Sequence, residues 1–163
     1  MAPLPDSARG LLRHSVATLS YRIAKILAGT PDSFAAYAAG PGSRTPAQIL
    51  AHMGDLLDWA LSMAKGKQAW RDSTPLPWAE EQARFFTALL AFDAWLAGDE
   101  PLGYAAERLF QGPVADALTH AGQIAYLRRM AGLPPVRGEN YAKAVIEAGA
   151  IGPTYSSRRV EFD

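Results

Sequence analysis

Residues 45–61 read TPAQILAHMGDLLDWAL. The segment begins as a helix begins. Thr45 is a good N-cap, Pro46 suits the first turn, and Gln48 stands where a capping box wants Glu or Gln. The apolar spacing predicts a helix from Pro46 to about Lys65, closed by Gly66. At 100° per residue, Ile49, Leu56, Trp59 and Met63 fall within about 60° of His52. His52 therefore shares the stripe that turns toward a core, and Asp55 lies on the edge of that stripe.

The same pattern recurs on either side. Asp6 or Ser7 can cap a first helix carrying Leu12, Val16, Leu19, Ile23 and Leu27, which Gly29 ends. A short helical piece is expected around Ser33 to Ala39. A third helix is predicted from about Trp78 to Ala97. Leu102 to Phe110 reads as a short helical piece leading to Gln111-Gly112-Pro113. A last long helix follows from about Pro113 to Ala131, stopped by Gly132 and Pro134-Pro135. Asn140 to Ala148 has a helical pattern, and the chain is polar from there to Asp163. Long amphipathic segments of this kind define an all-α four-helix bundle with short extra helices in its loops. The connection between helices two and three, about a dozen residues, can span roughly 40 Å. That exceeds the ~30 Å length of a twenty-residue helix, so helix three can run parallel to helix two. One domain is expected over 1–163, its core at about 6–132 and a C-terminal extension at 133–163.

Composition narrows the function. A chain of 163 residues, 49% hydrophobic, suffices for one sizeable core and not for two. Lys+Arg and Asp+Glu are 16 each, which argues against nucleic acid and against a polybasic membrane contact. There is no cysteine, so disulfides, thiolate metal sites and a Cys nucleophile are excluded. The most apolar stretch, FFTALLAFDAWLAG at 85–98, is too short to span a bilayer and carries Asp93. The first residues show no signal-peptide pattern, and a cytoplasmic location is expected.

The three histidines locate the chemistry. Asp116 and His120 stand at i and i+4, side by side on the last long helix. Ala117, Gln123, Ile124 and Leu127 lie within about 60° of His120. Two helices each turning polar groups inward can build a site between them. His52, Asp116 and His120 would hold a divalent metal on three corners and leave others open, with Zn, Ni, Fe or Mn all compatible. Gln123 and Asp55 could then orient a ligand or a proton, with Asp55 the catalytic candidate, and Trp59 could line the pocket. Periodicity leaves the simpler readings open: a hydrogen-bonded core histidine, an ordinary Asp–His helix pair and a core tryptophan. His14 points away from Leu12 and Val16 and is expected to be exposed. Arg128-Arg129 reads as a solvated face rather than an anion site. Gly40-Pro41-Gly42-Ser43 is a turn, not a phosphate loop. Phe34, Tyr37 and Tyr104 could serve a subunit contact, and Trp70, Trp78 and Trp95 have no separable role.

Two segments together, TPAQILAHMGDLLDWAL (45–61) and DALTHAGQIAYLRRMAG (116–132), resemble the DinB/YfiT-like metalloenzyme family. In that family one ligand histidine sits early in helix two. A second pair sits at i and i+4 on the last bundle helix, the latter opening an H-x-G-Q motif. His52 matches the first position and His120, within His120-Ala121-Gly122-Gln123, the last. Asp116 falls where the family commonly has His. The stretch Arg137 to Tyr141 is similar to part of one subgroup. The resemblance implies an up-down-down-up four-helix bundle, often a homodimer. It further implies a metal-dependent enzyme acting on a small molecule, either a transferase using a low-molecular-weight thiol or a hydrolase using water. Asp116 would lower the net charge of a divalent site from +2 to +1, raise the pKa of bound water and favour harder ions. Alternatively it only hydrogen-bonds His120. The competing class is a non-catalytic dimeric interaction module with a structural or vestigial site.

Overall fold

Ser7 fixes where the first helix starts: its hydroxyl accepts the Gly10 N–H at 3.0 Å. The computed structural model describes residues 7–138 and 140–154, so the other candidate cap, Asp6, lies outside the described residues. These form α1 (Ala8–Leu27), α2 (Pro46–Ala64), α3 (Trp78–Ala97), α4 (Ala106–Leu109) and α5 (Ala115–Met130). A π turn, Phe110–Val114, joins α4 to α5, and single 3-10 turns stand at Asp32–Ala36 and Tyr141–Lys143. No strand occurs among the described residues.

The capping box at the start of α2 is complete. Thr45 N–H donates to Gln48 Oε1 at 2.9 Å and Gln48 N–H to Thr45 Oγ1 at 3.3 Å, satisfying donors the helix itself leaves free. Its far end closes on Gly66, in the left-handed region at φ 73°, where a side chain would be strained. Gly103 packs directly on the Gly66 backbone and donates its N–H to Ala64 O at 2.8 Å. Any Cβ at Gly103 would collide there.

Leu12, Val16, Leu19 and Ile23 of α1, Leu50, Met53 and Leu57 of α2, Phe85, Leu89 and Phe92 of α3, and Ile124 of α5 are all buried in one core. Specific contacts record which helix ends meet. Arg9 donates to Leu96 O at 2.9 Å and Arg13 pairs with Asp93 at 3.0 Å, joining the start of α1 to the end of α3. Arg84 near the start of α3 reaches Ala51 O at 3.0 Å, and the Lys65 ammonium lies 5.3 Å from the Trp95 ring near the end of α3. On the other side of α2, His52 faces His120 and Trp59 faces Gly112.

Several expectations are corrected. Gln111-Gly112-Pro113 does not separate two helices. Pro113 lacks an N–H and cannot continue an α-helix, but a π turn absorbs the mismatch and the chain stays helical into α5. The piece at Ser33 to Ala39 is the 3-10 turn Asp32–Ala36. Asn140 to Ala148 forms only the turn Tyr141–Lys143; a segment this short has little helical stability of its own. Docking decides its path instead: Tyr141 packs on Tyr21 with ring centroids 6.5 Å apart, under the Arg22 guanidinium at 3.4 Å. Gly152 N–H donates to Ser20 Oγ at 3.0 Å, and Gly149 lies beside Arg13. Residues 141–152 thus lie across α1. His14 is half-buried, with its Nδ1 enclosed and unbonded, rather than exposed. Arg128 is buried too, not solvated. It donates to Ile26 O and Ala28 O at 2.7 and 2.6 Å and to Pro134 O at 2.7 Å, placing its charge on the negative end of α1. Phe34 is buried against Trp78 at 5.9 Å and is not part of an exposed contact surface.

Candidate metal centre

His52 sits on the second turn of α2, and Asp116 and His120 on the first turns of α5. The π turn just before Asp116 re-phases the chain, so both α5 residues face α2. The His52 and His120 rings lie 4.7 Å apart at 87°. His52 Nε2 is 3.6 Å from Asp116 Oδ2, and His120 Nε2 is 3.4 Å from Asp116 Oδ1. One donor atom from each of the three residues lies within 4.8 Å of the others. The His side chains are 23% and 12% exposed and Asp116 46%. The site is therefore at an open edge between α2 and α5, not sealed in the core as the inward phase of His52 suggested.

Gln123, one turn beyond His120, sets the tautomer. Its Oε1 lies 2.8 Å from His120 Nδ1. An amide oxygen only accepts, so Nδ1 donates to it, and Nε2 is the ring nitrogen turned toward Asp116. Nε2 lies 3.4 Å from an Asp116 carboxylate oxygen, beyond the ordinary length of a hydrogen bond. Burial, and then the nearby His120 and Arg44, lower the His52 pKa below its ordinary 6.5, while Asp116 pulls the other way without reversing the shift. His52 is thus biased toward the neutral imidazole that metals require. Ligands about 2.0–2.1 Å from a tetrahedral Zn²⁺ stand roughly 3.3 Å from one another. The Asp116-to-His distances of 3.6 and 3.4 Å come close to that spacing. The residues present fit a divalent ion.

Asp55 is elsewhere. Its carboxylate accepts Ser73 N–H at 2.8 Å and Ser73 Oγ–H at 2.6 Å, and pairs closely with Arg84. Burial alone would raise its pKa; the Ser73 hydroxyl and N–H and the Arg84 guanidinium outweigh this and lower it. Gly54 makes the arrangement possible, because a Cβ there would stand 2.7 Å from Arg84 Nη1. Trp59 is half-buried, its Nε1 enclosed without a partner. It meets Trp70 at 5.9 Å and 90°. Trp70, expected to have no separable role, is the tryptophan that packs against His52, at 5.6 Å. No periodicity could have marked it, since it stands in the irregular connection between α2 and α3.

Comparison with family models, with curated proteins and with solved structures finds no match.

Proposed function

We propose that this chain is a divalent-metal-dependent enzyme of the DinB/YfiT-like kind, with His52, Asp116 and His120 as ligands. The observation that carries the reading is the convergence of two imidazoles and a carboxylate within 4.8 Å, with His120 held in the metal-binding tautomer by Gln123. A bound ion would supply Lewis acidity and a charge able to activate water or a thiol. The chain's own part is to hold three donors in place, to keep His52 neutral, and to leave the Asp116 side open to a small molecule. The family resemblance supplies the reaction classes, thiol S-transfer or hydrolysis.

The helix contacts support the up-down-down-up reading. Arg84 with Ala51, and Lys65 with Trp95, keep a near-constant sequence offset, as two parallel helices would. Arg9 and Arg13 meet Leu96 and Asp93 in reverse order, as antiparallel helices do. No helix of the described residues is long and apolar enough to cross a membrane. The setting proposed is cytoplasmic, with neither nucleic acid nor a membrane as partner. The homodimer, and with it the alternative of a non-catalytic interaction module, draws on one observation. Leu11 and Phe110 are exposed at an apolar groove between α1 and α4.

Co²⁺-substituted protein separates these readings. A thiol or carboxylate probe that shifts its visible spectrum supports an open, enzyme-like site; an unresponsive spectrum favours the module. Sedimentation at several concentrations tests the dimer.

A further inference from the structure

We propose that the loop 67–77 is the outer wall of the metal centre: Trp70 covers its flank at His52, and the Asp55–Ser73 hydrogen bonds are the latch that holds Trp70 there. This rests on the metal-centre reading above, and it makes Asp55 a positioning residue rather than a proton carrier.

The loop has no regular secondary structure, yet it is tied along its length. Ser62 Oγ accepts Ala69 N–H at 3.0 Å and donates to Trp59 O at 2.7 Å. Tyr104 O–H donates to Gln68 Oε1 at 2.9 Å, and Arg71 pairs with Asp58 at 2.8 Å. Leu76 N–H donates to Glu81, which is fully buried, at 2.8 Å. Asp55, 3% exposed, takes both polar groups of Ser73, and Arg84 joins Asp55 to Glu81. Burying carboxylates is costly, and a plain connection would not require it.

Trp70 is what this anchoring holds in place. Its indole N–H donates to Asp72 at 3.2 Å, one residue before the latch. Its ring meets His52 on one side and Trp59 on another, while 44% of the residue stays exposed. A half-exposed indole contributes less to a core than a buried one. Packed on a ligand imidazole, it restricts the ring's rotation and shields that flank from water. His52 is then fixed between Trp70 and His120.

Release of Zn²⁺ from loaded protein to the chelator pyridylazoresorcinol tests the wall. Trp70→Ala and Ser73→Ala should each release Zn²⁺ about tenfold faster than the parent, the scale of one lost hydrogen bond to a charged group. The double variant should be no faster than Trp70→Ala, because both changes remove the same barrier. Ser73→Ala leaves the Asp55–Arg84 pair in place, so it stays informative if Asp55→Asn does not fold. Parent-like rates in both single variants, or multiplying effects in the double, would overturn the wall. Amide exchange in metal-free Ser73→Ala gives a second readout. Faster exchange at 69–73, with α2 and α3 unchanged, supports the latch, and unchanged loop exchange overturns it. A parent that takes up no Zn²⁺ sinks the metal-centre reading and the wall with it, whereas a loaded parent with unaltered release from the variants sinks the wall alone.

Discussion

Helix α2 carries two polar clusters three residues apart, and they are built in opposite ways. Around Asp55, charges meet at bonding distance: Arg84 with Glu81 at 3.2 Å, Arg71 with Asp58 at 2.8 Å, Ser73 with Asp55 at 2.8 and 2.6 Å. Around His52, the donor atoms converge but stop at 3.6 and 3.4 Å from the Asp116 carboxylate. The first cluster satisfies itself and anchors the loop after α2 to α3. The second brings three atoms of metal-ligand type within 4.8 Å of one another, and that convergence, rather than the presence of histidine, singles it out.

The contrast predicts opposite phenotypes. Arg84→Ala should cost about 3–5 kcal/mol in denaturant unfolding, since it strands Asp55 and Glu81 in the interior; a loss under 1 kcal/mol would show that the Asp55 cluster is not structural. Gln123→Ala should leave unfolding nearly unchanged yet weaken metal affinity about 10–100-fold, because the His120 tautomer is no longer fixed. Equal losses in both assays would erase the distinction between the clusters. Gly54→Ala, which in an ordinary exposed helix would gain roughly 0.5–1 kcal/mol, should instead lose stability because Arg84 must move. Calorimetry reads the sign.

The smallest effect is in pH. The folded pKa of His52 is lowered below 6.5, so as pH falls below 6.5 the unfolded chain binds the extra proton first. Stability of the metal-free protein is then full above 6.5 and declines as pH drops toward the folded value. Asp55 is lowered below 3.8, so its contribution is full above 3.8 and is lost only as pH falls further. A stability–pH curve should lose its upper decline in His52→Gln and keep the lower one; a curve unchanged in that variant would contradict the shift at His52.

Much of this was legible in residues. Thr45, Pro46 and Gln48 specify the start of α2 locally, and the α3 boundaries follow from Trp78, Ala97 and Gly98 in the same way. The phases of His52, Asp116 and His120 turned all three toward neighbouring helices. Phase carries no distance between helices, however, so the open edge and the spacing of the three donor atoms could only emerge with packing. The π turn at Phe110–Val114 hid because Pro113 reads as the start of a new helix, whereas the chain is already helical before it. Trp70 and Arg128 were missed for one reason. Their partners, His52 and the carbonyls of Ile26 and Ala28, are distant in the chain, and no local spacing encodes such contacts.

The central claim concerns the His52 cluster, and metal content tests it most directly. Untagged protein, purified without added metal and again after divalent reconstitution, should carry close to one ion per chain by mass spectrometry. His52→Ala and Asp116→Ala should carry almost none while remaining folded. An apo parent that takes up no divalent ion, or variants with the parent's metal content, would contradict the account and leave Asp116 as a plain neighbour of two histidines.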